Sequence, residues 1–161
     1  MEYSNKQVRR QDRLLDVDRA RELLRESEWG VLSICTNEGE PYGVPINYVW
    51  DGNNSIYLHC APQGRKLQIL EENSRVSFTV VGRVNLLPSR FTTEYESIML
   101  EGEAVRHLND DEKHQALELL LDKLSPNDKK VGLKYAAASF HRVEIIRVDF
   151  TRWSGKRKKV F

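Results

Sequence analysis

The feature that most constrains the fold is a four-residue turn, DGNN at 51–54, between two β-rich runs at 42–50 and 55–59. Glycine and asparagine tolerate the positive φ angles that tight hairpin turns require. We therefore predict that the two runs pair as an antiparallel hairpin. Pro45 lies within the first run. Because proline cannot donate to a ladder, Pro45 predicts an edge strand or a bulge.

Other segments carry similar signals. Runs of β-forming residues predict further strands at 31–36, 76–81, 97–106 and 140–150, with a loop at 83–93. Gly102 lies within one of these strands and predicts a bulge or a close backbone approach. Apolar residues at helical spacing, together with polar caps at Asp16 and Asp110, predict helices at 17–28, 65–72, 111–123 and within 129–138.

Five or six antiparallel strands with helices spread among them predict an α+β fold. Hairpin links and bulge signals favour a sheet closed into a barrel over a flat sheet. The chain shows no β-α-β rhythm and no G-x-G-x-x-G motif, which argues against a Rossmann domain. Its 161 residues predict one domain, 1–161, in which the polar segment 1–13 is loosely held.

Charge and cysteine content limit the compartment and the partners. The net charge is +1, so no overall field favours nucleic acid. The basic stretch at 156–159 is interpreted as a solvated tail or as an anion or partner contact. No apolar run approaches the ~20 residues of a membrane span, and the N-terminus resembles no secretory signal. With only two cysteines, Cys35 and Cys60, we expect a soluble protein of the reducing cytoplasm.

The stretch YLHCAPQGRK, residues 57–66, places a histidine, a cysteine and two cations where a strand gives way to a helix. The first amides of a helix are unpaired and positively polarised, so anions bind there. Cations are otherwise disfavoured in a first helical turn. Gly64, Arg65 and Lys66 are therefore candidates for an anion site, with an ordinary helix start and solvated cations as the alternative.

His59 and Cys60 precede this corner and allow several interpretations. The other histidines offer no short-spaced partners, which argues against a metal site. A catalytic pair is geometrically awkward, since neighbours on a strand point to opposite faces. The favoured interpretation is a buried cysteine beside a histidine at a strand end. His59 stays open as a polar wall of a ligand pocket.

Two further places are candidates for ligand contact. Pro45 bends its strand and frees an opposing carbonyl, so the backbone there can meet a flat heteroaromatic ligand, although a simple edge strand is favoured. Trp153 stands beside a glycine after the last predicted strand. The sequence allows three positions for its ring: on a ligand, on a partner subunit or in the core.

Taken in order, four segments resemble the pyridoxamine 5′-phosphate oxidase-like FMN-binding split-barrel superfamily. They are VPINY at 44–48, IYLH at 56–59, GRKL at 64–67 and NSRVSF at 73–78. Within the superfamily, the chain is most similar to the 5-nitroimidazole-resistance (Nim-type) flavoproteins. The resemblance covers about residues 15–155, in the right order and spacing.

The resemblance implies a six-stranded antiparallel split β-barrel, a homodimer, and FMN in a cleft at the subunit interface. Arg65 and Lys66, after Gly64, match the cations that hold the FMN phosphate in the family. The strand that contacts the isoalloxazine matches Val44, Pro45, Ile46 and Asn47. Ser97 stands where the oxidases carry a glutamine near the flavin, which is a departure. Residues 153–157 read WSGKR, where the oxidases carry a substrate-binding arginine and histidine.

The implied function is an FMN-dependent oxidoreductase that reduces nitroimidazole-like or other small, flat acceptors. His59 would line the pocket and donate a proton or hydrogen bond, because its ordinary pKa lies near neutrality. One alternative is a flavin- or haem-binding split-barrel module without turnover, in which His59 is the first axial-ligand candidate. Others are a pyridoxamine phosphate oxidase-related enzyme and a cofactor-free dimer with an interaction role.

Overall fold

The computed structural model describes residues 2–159, which fold around one large β-sheet. Its strands are β1 (Glu2–Tyr3), β2 (Trp29–Cys35), β3 (Pro41–Asn47), β4 (Val49–Trp50), β5 (Ser55–Cys60), β6 (Arg75–Leu87), β7 (Thr92–Val105) and β8 (Glu144–Lys158). Its helices are α1 (Val17–Glu26), α2 (Arg65–Glu72), α3 (Asp110–Leu124) and α4 (Lys129–Ser139). The strand order is β3-β2-β6-β7-β8-β5-β4, and β1 pairs with β8 in parallel.

The inner face of the sheet holds the main core. One row of paired residues crosses four strands, with Leu32 opposite Phe78, Phe78 opposite Leu100, and Leu100 opposite Trp153. All four side chains are fully buried. Each large apolar side chain removed from water contributes roughly 1.5–3 kcal/mol, so such a row strongly specifies the register. Helix α1 covers this core with Ala20, Leu23 and Leu24.

A second apolar cluster joins α3 to the far end of the sheet. Ala116, Leu117 and Leu120 pack with Val49 and Ile145. The helix is capped by Asn109, whose side chain accepts a hydrogen bond from the Glu112 amide at 2.9 Å. The predicted cap, Asp110, is instead the first residue of the helix. No helix among residues 2–159 is long and apolar enough to cross a membrane.

The predicted α+β class is confirmed, with eight strands among the described residues in place of six. The predicted strand at 42–50 is wrong as one unit. Its first part, β3, pairs with β2 along its whole length, and only Val49–Trp50 pairs with β5. Tyr48 separates the two parts because its side chain is buried and its hydroxyl donates to the Leu24 carbonyl at 2.7 Å. The edge position of Pro45 is confirmed, since β3 ends the strand order.

The predicted loop at 83–93 is also wrong. Strand β6 continues to Leu87, β7 begins at Thr92, and the two pair down to a short 3-10 turn, Pro88–Arg90, at the tip. Pro88 begins that turn and therefore does not interrupt either strand. The register shifts between Val81 and Val84, and this irregularity marks the start of the extension.

Other predicted elements agree more closely. Helix α2 has the predicted bounds, α4 lies in the predicted segment, and α1 ends two residues early, at Glu26. The bulge at Gly102 is confirmed by a register shift, and a Cβ there would lie 1.9 Å from the Asp149 carbonyl oxygen. The bounds predicted for the last strand, 140–150, are wrong: residues 140–142 form a 3-10 turn, and the strand runs from Glu144 to Lys158 and includes Trp153.

The N-terminal segment has defined contacts. The rings of Tyr3 and Trp153 meet edge to face at 4.7 Å, and the Gly155 amide donates to the Asn5 side chain at 3.0 Å. The expected mobility of residues 1–13 and the single-domain organisation stay predictions. Met1 lies outside the described residues.

Candidate functional site

The start of α2 is an open, uncapped helix terminus. Gly64 is the N-cap, with φ 138°, and its carbonyl accepts from the Leu67 and Gln68 amides at 3.0 and 3.3 Å. Among residues 2–159, no side chain accepts a hydrogen bond from the first amides of α2, and a Cβ at Gly64 would have no neighbour within 4 Å. The positively polarised end of the helix therefore faces open space. We call Gly64, Arg65 and Lys66 the α2 corner.

Arg65 links the α2 corner to the beginning of β3. Its guanidinium carbon lies 4.8 Å from the centre of the Tyr42 ring, and its Nη2 is 3.6 Å from Glu40 Oε2. Both charged side chains are more than half exposed. An exposed ion pair at this distance holds an arginine weakly, so Arg65 is oriented by Tyr42 yet available to another anion.

Lys66 acts on both His59 and Cys60. Desolvation raises the pKa of the Cys60 thiol, and the charge and hydrogen bond of Lys66 act in the opposite direction. Desolvation also lowers the pKa of His59, and the Lys66 charge lowers it further. Near neutral pH, Cys60 is therefore a thiol and His59 a neutral imidazole. Cys60 packs against the main core but is only partly buried, so it is less enclosed than the buried cysteine that we expected.

The four β3 candidates divide between two faces. Val44 and Ile46 are half-buried opposite inner-face positions of β2, and Ile46 packs against the core. Pro45 and Asn47 are exposed on the outer face. The Asn47 side-chain amide donates to the Glu28 backbone carbonyl at 3.1 Å. Strand β3 also approaches β5, which ends in His59 and Cys60, so the structure groups β3 with the α2 corner.

Ser97 and Trp153 lie apart from this group. Ser97 is half-buried on β7, between Val81 and Lys156 in the ladder. Three strand spacings, roughly 14 Å, separate β7 from β3 across the sheet. The Trp153 side chain is 1% exposed and lies in the core, which is one of the three positions that the sequence allowed.

Sequence reasoning missed Glu40 and Tyr42, the two residues that hold Arg65. Nothing in their spacing marks them, because their contact with Arg65 depends on how β3 and α2 meet. It also missed an apolar strip on the outer face. Trp29, Val81 and Met99 are each about half exposed there, on three neighbouring strands. Exposed apolar side chains in such a strip are typical of an interaction surface.

The metal-binding and thiol groups among residues 2–159 form no further candidate site. No group of three or more histidine, cysteine, aspartate or glutamate residues there is placed to hold a metal ion. Cys35 and Cys60 are both free thiols. The Asn73 side chain donates to the Cys35 carbonyl at 3.2 Å, which ties the end of α2 to β2.

Comparison with known families gives a match over most of the chain. The sequence profile described as pyridoxamine 5′-phosphate oxidase matches residues 16–157. A search of curated proteins by sequence gives no match.

Several solved structures share the fold. A protein from Bacteroides thetaiotaomicron, whose given name proposes 5-nitroimidazole antibiotic resistance, has a TM-score of 0.72 and 22% identity, covering 90% of this chain and 86% of its own. A FAD-binding protein from Mesorhizobium loti has a TM-score of 0.63 and 21% identity, covering 92% and 97%. A FAD and heme binding protein from Mycobacterium smegmatis has a TM-score of 0.69 and 19% identity, covering 92% and 74%. Likeness at these identities shows the fold.

Proposed function

Because this chain belongs to the pyridoxamine 5′-phosphate oxidase family, we propose that it is a flavin-dependent oxidoreductase with FMN as its cofactor. The α2 corner carries the proposal. There, unpaired helix amides, a weakly held arginine and a lysine meet beside a glycine that leaves the approach open. Together they supply the backbone donors, bidentate fork and point charge that bind a terminal phosphate.

The same geometry suggests how the rest of the cofactor is held. Arg65 would exchange Glu40 for the phosphate, while its stacking on Tyr42 would keep it near β3. Residues 44–47, where Pro45 leaves an edge-strand backbone exposed, would hold the flavin ring. When bound, FMN supplies the electron transfer. His59, at the end of the neighbouring strand, lines the pocket and offers a neutral imidazole that can donate or accept one proton.

We propose a small, flat acceptor, such as a nitroimidazole, as the substrate class. The Nim-type resemblance of the sequence supports this proposal. The structural similarity to the Bacteroides thetaiotaomicron protein, whose name refers to 5-nitroimidazole resistance, supports it too. A flat acceptor suits a site built along a strand edge, because it can stack on the flavin ring.

The site is completed, in this proposal, by a second copy of the chain. Ser97 lies on β7, three strands along the sheet from β3, so the Ser97 of a partner copy is the one we expect near the flavin. The apolar strip of Trp29, Val81 and Met99 supports a homodimer formed through the outer face, with FMN at the interface. The two free thiols suit a reducing cytoplasm, where we place the protein.

The first test is the absorbance spectrum of freshly purified protein, which we expect to show a flavin band. The Arg65→Ala/Lys66→Ala variant should bind FMN at least about tenfold more weakly, since two charge-assisted contacts are lost. Lys130→Ala/Lys134→Ala removes the same charge from exposed positions of α4 and should bind FMN normally. Wild-type FMN affinity in the α2 corner variant, measured by fluorescence titration, would contradict the phosphate assignment.

A haem-binding role is the second candidate, and His59 favours it. Its imidazole is neutral at neutral pH, which is the form that ligates iron, and the residue is exposed at the end of β5. A Soret band without a flavin band in the purified protein, abolished by His59→Ala, would support haem over FMN.

A further inference from the structure

The basic stretch 156–159 is largely part of the sheet. Lys156, Arg157 and Lys158 are half-buried residues of β8, and only Lys159 lies beyond the strand and is exposed. On one side this part of β8 pairs with β7, with Lys158 opposite Tyr95. On its other side, Leu14 bridges to Lys156 and brings the 3-10 turn Gln11–Arg13 alongside. The cations are therefore held by backbone pairing.

Two concave surfaces flank the end of β8. One, of about 570 Å³, is lined by Asp12, Arg13, Leu14, Arg157, Lys158 and Lys159. The other, of about 350 Å³, is also lined by Arg157, Lys158 and Lys159, and it extends to Arg83 and Tyr95. Both volumes lie within the range of small-molecule sites. We call Arg13, Tyr95, Lys156, Arg157, Lys158 and Lys159 the basic cleft.

The carboxylates around the basic cleft are already engaged at short distances. Asp12 accepts from Arg10 Nε at 2.7 Å, and Asp16 caps α1 by accepting from the Arg19 amide at 2.9 Å. Glu96 accepts from Arg19 Nη2 at 2.6 Å, and Glu94, which also lines the second cavity, accepts from Asn85 Nδ2 at 2.9 Å. Each of these acids therefore has a hydrogen-bond partner outside the six residues of the basic cleft.

The cations of the basic cleft have much longer ionic contacts. Arg13 Nε is 3.8 Å from Asp12 Oδ2, and Arg157 Nη1 is 3.9 Å from Asp16 Oδ2. Neither distance is a hydrogen bond. The guanidinium groups on both sides of the β8 end thus keep donors for a further acceptor.

Tyr95 lies beside the same cations. It stands opposite Lys158 in the ladder, and Lys156 Nζ is 5.8 Å from the centre of its ring. Burial raises the pKa of Tyr95, but hydrogen bonding and positive charge from Lys156 and Arg13 outweigh burial and lower the pKa. Cations from β8 and from the 3-10 turn therefore act on the same place, as they would on a phosphate oxygen.

We propose that the basic cleft binds a phosphorylated small molecule. Arg13 and Arg157 supply planar forks for phosphate oxygens, and Lys159 supplies an exposed point charge. A compact pair of cavities in a chain of net charge +1 fits a small ligand, whereas nucleic acid requires a broad basic surface. This site uses no residue of the α2 corner, so it does not depend on the proposed flavin site.

The test uses Arg65→Ala/Lys66→Ala protein as the background, which removes phosphate binding at the α2 corner. Pyrophosphate and NADPH are titrated separately by calorimetry, to distinguish a free phosphate ligand from a nucleotide. Adding Arg13→Gln, Arg157→Gln and Lys159→Gln should weaken binding of at least one probe by about tenfold or more. The matched control adds Lys130→Gln, Lys134→Gln and Arg142→Gln, which remove the same charge from exposed positions. That control should bind as the background does.

Lys159→Glu provides a second variant that does not endanger the fold, because the residue is exposed beyond β8. It should also weaken binding, with an unchanged melting temperature. Equal affinity in background and cleft variants would overturn the proposal. Equal weakening in the matched control, or tighter binding of a short RNA than of either probe, would overturn it as well.

Discussion

Arg65 and Arg147 show two ways in which this protein uses an arginine. Arg147 donates to Glu112 at 2.6 Å and to Asp149 at 2.8 Å, and it ties α3 to β8. Arg65 stacks on one half-buried ring, that of Tyr42, and has an ion pair of 3.6 Å. An arginine with several short hydrogen bonds to carboxylates stabilises the fold, whereas a weakly paired arginine keeps hydrogen-bond donors for a ligand.

The surroundings of Arg147 strengthen this contrast. The Tyr57 hydroxyl donates to Glu112 at 3.1 Å, and the Ser55 hydroxyl donates to Asp149 at 2.7 Å. The network therefore connects β5, β8 and α3, and the carboxylates have further partners of their own. Within residues 2–159, the charged side chains of the α2 corner have fewer contacts, namely those of Arg65 with Tyr42 and Glu40 and that of Lys66 with Cys60, which is why we assign the corner to binding and not to stability.

The largest expected effect is on stability. Arg147→Met should lower the free energy of unfolding by about 2 kcal/mol, because it leaves two partly buried carboxylates without their shared cation. Arg65→Met should change it by less than about 0.5 kcal/mol, as for an exposed residue. Urea unfolding of both variants measures the difference, with Arg142→Met as an exposed control. Equal destabilisation by the two substitutions would remove the distinction between the arginines.

Lys123 is a third kind of cation: the residue is half-buried, and its Nζ is buried without a hydrogen-bond partner among the described residues. Its Nζ lies 3.9 Å from the centre of the Tyr48 ring. Desolvation lowers the pKa of Lys123 to about 8, although Glu28 acts in the other direction. Between about pH 8 and its unfolded value near 10.5, the unfolded chain binds more protons. Stability should therefore rise with pH across that window.

Lys123→Met should remove this pH dependence and stabilise the protein at pH 7 by about 1 kcal/mol, after allowance for partial exposure. Thermal unfolding of both proteins from pH 7 to pH 10.5 gives the measurement. An unchanged slope in Lys123→Met would show that another group is responsible.

The smallest effect sharpens the description of the α2 corner. Glu40→Gln removes the carboxylate that competes for Arg65 and should raise FMN affinity about two- to fivefold, most clearly at low salt. Glu38→Gln, in the same turn, is the matched control. If Glu40→Gln leaves FMN affinity unchanged while Arg65→Ala/Lys66→Ala lowers it, Glu40 does not compete with the phosphate for Arg65, but the phosphate assignment stands.

Local sequence signals predicted α2 and its glycine start accurately, since Gly64, Arg65 and the following apolar spacing are adjacent in the chain. The signals failed at Tyr48, whose burial and bond to the Leu24 carbonyl depend on α1, more than 20 residues away in the chain. They failed again at 83–93, where cross-strand pairing overrides the breaking tendency of Asn85 and Pro88. The roles of Ser97 and of the partner subunit in cofactor binding stay predictions.

The sequence by itself determined the antiparallel character of the fold, the edge position of Pro45 and the cationic start of α2, because each follows from backbone chemistry within a few residues. Only the tertiary structure decided that Tyr42 and Glu40 hold Arg65, that Trp153 lies in the core, and that the basic stretch joins Arg13 in a cleft. These outcomes depend on which distant segments meet, and long-range packing sets that through the buried row from Leu32 to Trp153.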